Sequence, residues 1–203
     1  MNIGIYIYDD AEVLDFSGPF EVFSTAKRLA NNDWQVSLIA ENDSPVLARG
    51  GYSVNPHYSF ADCPLLDLLV VVGGDHTREL EKVEVITWLK HTVTNTKRVA
   101  SVCTGAFLLA KTGLLSGKNV TTHWQDQPEL AAMFSDLNVI AETRWVTDGK
   151  FISSGGISAG IDMSLALVAE FISYEHALLT AKQMEYKWQT LKFLSHVVGY
   201  KLF

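Results

Sequence analysis

The sequence predicts an α/β fold, a three-layer sandwich in which a mostly parallel sheet is covered by helices on both faces. Three observations carry that prediction. Short apolar runs alternate with longer helix-like segments along the whole chain. The runs Ile3 to Tyr8, Asp67 to Val72 and Arg98 to Val102 are apolar and rich in β-branched residues, as strands buried on both faces require. Residues able to do chemistry recur just past the strand ends, where such sheets place their sites.

The elements follow in order. Ile3 to Tyr8 reads as a central strand. Ser17-Gly18-Pro19 then opens a helix, with Ser17 as its cap and Phe20, Val22, Phe23 and Leu29 on its apolar side. Trp34 to Ala40 is the next strand. Val46 to Ala48 and Tyr52 to Val54 flank Arg49-Gly50-Gly51 as a small hairpin. Asp67 to Val72 is a buried strand ending in Gly73-Gly74. A helix from about Glu81 to Asn95 leads to the strand Arg98 to Val102, and Thr104 to Lys111 is helical.

Gly113 to Gly117 is a loop, Asn119 to Thr122 a short strand and Pro128 to Phe134 a helix. Val139 to Val146 and Lys150 to Ser154 flank Asp148-Gly149, a hairpin signal. Gly155 to Gly160 opens a long apolar helix through Ile172, and Tyr174 to Gln189 is the last helix. No repeat or linker divides the chain, so residues 1–203 read as a single domain.

Composition excludes several function classes. The formal charge of −7 and the absence of a basic stripe argue against a nucleic-acid partner. Apolar residues make up 48% and charged residues 19%, a balance that suits a buried oligomer interface. The amino terminus runs straight into a strand without a leader, and no apolar stretch reaches membrane-spanning length. A cytoplasmic protein with no membrane partner is expected. Two cysteines make no disulfide framework. His57, His76, His91, His176 and His196 lack metal-ligand spacing, so neither a metal nor another cofactor is expected.

Cys103 is the most informative residue. It lies on the sharp turn between a buried strand and a helix of small residues, the position of a nucleophile elbow. The helix start is expected to lower its pKa and favour thiolate. Cys63, in Ala61-Asp62-Cys63-Pro64, has no such setting and reads as an inert packed residue. Asp15, Gly73-Gly74 and His123 each follow a strand end and are expected at the same sheet edge. Every one has a plainer reading. Asp15 serves equally well to start its helix, Gly73-Gly74 to end a strand, and His123 with Trp124 to fill space under a loop. Gly155 to Gly160 lacks a phosphate-loop ending and reads as a close-packing segment.

Five segments carry a resemblance: Leu14 to Phe23, Ser59 to Pro64, Ser101 to Ala106, Thr121 to Trp124 and Gly155 to Asp162. With them the chain resembles the ThiJ/PfpI superfamily, of class I glutamine-amidotransferase-like fold, over essentially its full length. Within it, the chain is most similar to the isonitrile hydratase branch and to the amidotransferase-like domains of AraC-type regulators. The resemblance implies a flavodoxin-like fold, a homodimer and a small-molecule substrate. It makes Cys103 the nucleophile, Asp15 the acid bonded to its sulfur, and Thr104 the residue that follows the nucleophile in hydratase-like members. Protease members carry histidine there, so Thr104 argues against proteolysis.

The activity implied is addition of water to an isonitrile, giving an N-substituted formamide through a Cys103 thioimidate. Asp15 would move the proton, its pKa raised by a dry site and a neighbouring thiolate. Backbone N–H groups near Gly73, Gly74 and Thr104 would stabilise charge on the adduct. His123, Trp124 and Phe16 are candidates to line the site. The alternatives are a ligand or redox sensor without DNA binding, or an amidase or glyoxalase-like hydrolase on the same cysteine. The tail ending Val197 to Phe203 is expected to be too short for a helix-turn-helix module. It is also shorter than the dimer-forming extension of hydratase-like members.

Overall fold

A computed structural model describes residues 1–189 of the chain. The elements in order are β1 (Asn2–Tyr6), α1 (Val13–Ala30), β2 (Gln35–Ala40), β3 (Val46–Ala48), β4 (Tyr52–Val54) and β5 (Tyr58–Ser59). Next come β6 (Leu68–Val71), α2 (Thr77–Glu81), α3 (Val83–Asn95), β7 (Arg98–Val102), α4 (Gly105–Lys111) and β8 (Asn119–Val120). The remainder is α5 (Gln127–Met133), β9 (Asn138–Val139), β10 (Trp145–Asp148), β11 (Phe151–Ser154), α6 (Ala159–Phe171) and α7 (Tyr174–Gln183).

Among the described residues a seven-stranded sheet runs in the order β10-β11-β7-β6-β1-β2-β5. All its pairings are parallel except β10 with β11, which turns over the expected Asp148-Gly149 hairpin. Register is direct: Ile5 lies beside Val70 of β6 and Leu38 of β2. The helices gather in two groups, α1 with α6 and α7, and α2 with α3 and α4. Sandwiched between them, Leu68 to Val72 are fully buried, which is why that run carries no polar alternation. Each such side chain contributes about 1.5–3 kcal/mol relative to exposure. The α/β three-layer fold expected from the sequence is the one observed. No helix among the described residues is long and apolar enough to cross a membrane.

Several local expectations are corrected. Helix α1 begins at Val13, not at Ser17, whose hydroxyl donates to the Val13 carbonyl inside the helix at 2.8 Å. Gly18 is interior because α6 packs close: a Cβ there would stand 3.0 Å from Ile161. The helix expected from Glu81 is divided at Lys82, which is extended at ψ 108° and whose ammonium binds both Glu79 and Glu41. Strand β8 pairs with β9 in a separate two-stranded sheet, not with the main one. The stretch from Val139 to Val146 is therefore two strand ends joined by a loop. Helix α7 stops at Gln183. His196 and the tail Val197 to Phe203 lie outside the described residues.

Candidate functional site

Cys103 sits on the turn between β7 and α4 with φ 54°, in the left-handed region that a side chain enters at a cost of about 1–3 kcal/mol. The surroundings hold it there. Its N–H is shared between the carbonyls of Ser154 (3.2 Å) and Gly155 (3.3 Å), and its carbonyl accepts the Thr122 hydroxyl at 2.7 Å. The elbow inferred from sequence is present in the backbone.

The acidity inferred for it is not. Cys103 is only 8% exposed, and burial drives its thiol well above the ordinary range. The neighbouring Asp15 charge pushes the same way, and the Thr104 N–H opposes both more weakly. The seven-residue helix α4 is outweighed by loss of solvent. Burial therefore favours the protonated thiol over a thiolate in the resting site.

Asp15 occupies the first turn of α1 and is fully buried. Its Oδ2 accepts the Gly73 N–H at 3.0 Å, so the side chain serves the neighbouring strand end rather than its own helix start. Oδ1 has no hydrogen bond of normal geometry. Burial pushes the carboxyl up to about 7, against the pull of the Gly73 amide. Glu12 adds to the rise, while the nearby Ile157 amide and Cys103 thiol favour the charged form. Thiol and carboxyl thus compete for one negative charge, and the pair releases its first proton near neutrality.

Gly73 and Gly74 hold the other side. A Cβ on Gly73 would stand 2.6 Å from Thr104 N and 2.7 Å from Cys103 Cβ, so only glycine lets β6 approach the elbow. The expectation that their amides face a substrate is corrected, because both are engaged. Gly73 donates to Asp15, and Gly74 N–H donates to Thr104 Oγ1 at 3.0 Å. That hydroxyl in turn donates to the Gly74 carbonyl at 3.0 Å. Thr104 is a clamp between α4 and the Gly73-Gly74 turn. Thr104→Val leaves the buried Gly74 N–H without its acceptor and is expected to cost about 1–3 kcal/mol in urea unfolding. Thr104→Ser is expected to retain most of that stability.

His123 comes from beyond the side sheet. A Cβ on Gly156 would stand 3.2 Å from Cys103 Sγ and 3.0 Å from His123 Cγ, so sulfur and imidazole flank one glycine. His123 Nδ1 lies 3.2 Å from Asp126 Oδ2, which orients the ring. Trp124 is 72% exposed beside the His123 ring and stands at the rim rather than inside. Phe16 is buried against Tyr52 of the β3–β4 hairpin, at 6.4 Å between ring centroids. Cys63 is half-buried, its thiol pushed up to about 11 by burial.

Sequence reading missed four neighbours. Asp126 pairs with His123, and its three-residue spacing was a readable signal. His76 packs tilted against Phe107 with ring centroids 4.4 Å apart, and burial lowers its pKa. Ile157 takes φ 56° and turns its amide toward Asp15. Arg144 binds the buried Asp162 through Nε at 2.7 Å.

The comparisons with known proteins agree with this architecture. The DJ-1/PfpI family pattern matches residues 1–170. Isonitrile hydratase of Pseudomonas putida is 33% identical over 187 residues, covering 92% of this chain and 78% of its own length. The HTH-type transcriptional regulator CdhR of Pseudomonas aeruginosa is 29% identical over 171 residues, 84% of this chain but 51% of the regulator. Among solved structures, a ThiJ/PfpI family protein from Pseudomonas syringae matches with a TM-score of 0.82 at 28% identity, over 92% of this chain and 75% of that one. Drosophila melanogaster DJ-1beta shares the fold with a TM-score of 0.79 at 22% identity, over 92% of this chain and 98% of that one. A match over most of the chain, on a fold that builds the strained cysteine turn, establishes that the chain belongs to the DJ-1/PfpI family.

Proposed function

We propose that the protein is an isonitrile hydratase-like enzyme, converting an isonitrile and water into an N-substituted formamide. The observation that carries this reading is the buried pairing of Cys103 with Asp15, a carboxyl pushed up to about 7, in a chain 33% identical to an isonitrile hydratase. A group that is half protonated near neutral pH can both give and take a proton in one cycle.

The chemistry balances without a redox step. Asp15 takes the Cys103 thiol proton as sulfur bonds to the terminal isonitrile carbon and passes it to that carbon, giving a thioimidate. Water then adds to the same carbon, with Asp15 accepting a proton. Asp15 passes that proton to nitrogen, the carbon–sulfur bond breaks as the hydroxyl proton returns through Asp15 to sulfur, and the formamide leaves with the Cys103 thiol restored. The Thr104 N–H stabilises the sulfur as it departs, since the Gly73 and Gly74 amides are occupied. His123, oriented by Asp126, lies across Gly156 from the Cys103 sulfur. Thr104 in place of histidine leaves proteolysis without support. The proposal includes a homodimer acting in the cytoplasm on a small molecule.

The similarity to a transcriptional regulator supports a second reading, a ligand sensor built on the same site. One experiment separates the two. Wild-type protein incubated with several alkyl isonitriles is expected to yield the matching formamides, and Cys103→Ala to fall by roughly 10³-fold or more. Saturable isonitrile binding without formamide supports the sensor. Absence of turnover by the wild type across the whole series overturns the hydratase reading, and amides and 2-oxoaldehydes run in parallel expose a hydrolase instead.

A further inference from the structure

Arg144 holds both ends of the loop that walls the Cys103 site. Its carbonyl accepts the Gly155 N–H at 2.9 Å. Its guanidinium donates to Asp162 Oδ2 through Nε at 2.7 Å, and Nη2 lies 2.5 Å from the same oxygen as an ion pair. The same Nη2 reaches Ser158 Oγ at 3.4 Å. Between these anchors lie three residues that touch the site. The Gly155 carbonyl accepts the Cys103 N–H, Gly156 packs between Cys103 Sγ and the His123 ring, and Ile157 sits at φ 56°.

Asp162 is fully buried, and its second oxygen accepts the Tyr186 hydroxyl at 3.1 Å and the Gln189 N–H at 3.4 Å. A buried ion pair gains little net stability over well-packed apolar side chains. Its geometry, in contrast, is highly specific. A planar guanidinium fixes the carboxylate and a hydroxyl together, which a point charge does not do.

We propose that Arg144 is a positioning residue: bound to Asp162 and Ser158, it fixes the Gly155–Ile157 loop against Cys103 and Asp15 and thereby sets the reactivity of that pair. The proposal rests on Cys103 and Asp15 being the reactive pair, and is independent of the substrate they take. The Ile157 amide favours the Asp15 carboxylate, so loosening the loop withdraws a donor and makes the pair's first proton harder to lose. The other groups acting on the pair are Glu12, Tyr8, Asp126 and the Gly73 and Thr104 amides, none of them bonded to Arg144.

The test is alkylation of Cys103 by iodoacetamide across the neutral pH range, followed by peptide mass spectrometry, with Cys63 as internal reference. Arg144→Lys keeps the charge on Asp162 but loses the fork. The double variant Arg144→Met/Asp162→Leu replaces the pair by apolar side chains and avoids a stranded buried charge. In both, the midpoint of the Cys103 profile is expected to move up by roughly 0.5–1 pH unit and alkylation above it to quicken about three- to tenfold, because a carboxyl that keeps its proton longer leaves more of the pair's charge on sulfur, while Cys63 is unaffected. A Cys103 midpoint equal to wild type in Arg144→Lys, and in the double variant wherever its near-UV circular dichroism is native, overturns the proposal. A wild type that alkylates normally but turns over no isonitrile, with both variant profiles shifted, keeps Arg144 in its role and removes only the substrate assignment.

Discussion

Asp15→Asn is expected to stabilise the folded protein above neutral pH and at the same time to abolish turnover and remove the near-neutral step from the Cys103 alkylation profile. Asp15 is fully buried, and its carboxyl is pushed up to about 7 from the ordinary 3.8. Between those two values the folded protein holds a proton that the unfolded chain has already released. Stability therefore declines as pH rises through this window, and the whole penalty is present above it. Its size is about 4 kcal/mol as an upper figure. Asparagine carries no charge at any pH and keeps a carbonyl oxygen for the Gly73 N–H. The gain is expected to be near zero below the carboxyl range of the unfolded chain, and largest above neutrality. At about 2–4 °C per kcal/mol, a rise in Tm of several degrees follows there. The same change deletes the group that titrates near neutrality. Cys103 is then left to burial alone, and its alkylation midpoint moves into the alkaline range. Such a trade of stability against activity is usual where a charge is kept in a dry site. Unfolding curves that coincide for variant and wild type at every pH overturn this account of Asp15.

The legible part of this protein was the part set by local pattern. Strands buried on both faces must be apolar throughout, so β6 and β7 were readable, and small residues after an apolar strand marked the turn at Cys103. What was not legible depended on partners distant in sequence. Ser17-Gly18-Pro19 resembles a helix start, yet Gly18 is small because α6 lies against it, and the true start at Val13 brings Asp15 inside. The thiol was expected to be acidic from its helix alone. Burial by segments as distant as Asp15 and Gly156 reverses the direction. Arg144 lay in what read as a strand, and only its bond to Asp162 reveals its task. The Gly73 and Gly74 amides were placed in the correct region but assigned to a substrate, since the sequence does not show that Asp15 and Thr104 already accept from them.

Gly105→Ala is expected to be among the most destabilising single-methyl additions in the chain. Helix propensity alone favours the change by up to about 1 kcal/mol, because Gly105 is helical and its φ is not in the left-handed region. Packing opposes it. The added Cβ would collide with the Val71 carbonyl oxygen and stand 2.8 Å from the Val71 carbonyl carbon and 2.9 Å from the Val72 oxygen. These are backbone atoms at the end of β6, which is hydrogen-bonded to β1 on one side and β7 on the other. No rotamer change relieves the clash, so α4 must lift from the sheet. Overpacking of this kind costs about 1–3 kcal/mol when side chains yield, and more when only backbone can move. A net loss of about 2–3 kcal/mol, or roughly 5–10 °C in Tm, is expected. The motion also draws Thr104 from Gly74 and Cys103 from Asp15, so turnover and Cys103 alkylation should fall even at temperatures where the variant is folded. Gly51→Ala is the control: its φ is 76° but nothing lies within 4 Å, so it should pay only a local backbone cost and leave the site intact. A Gly105→Ala protein as stable as Gly51→Ala, with native Cys103 reactivity, would show that the elbow does not depend on the close approach of α4 to β6.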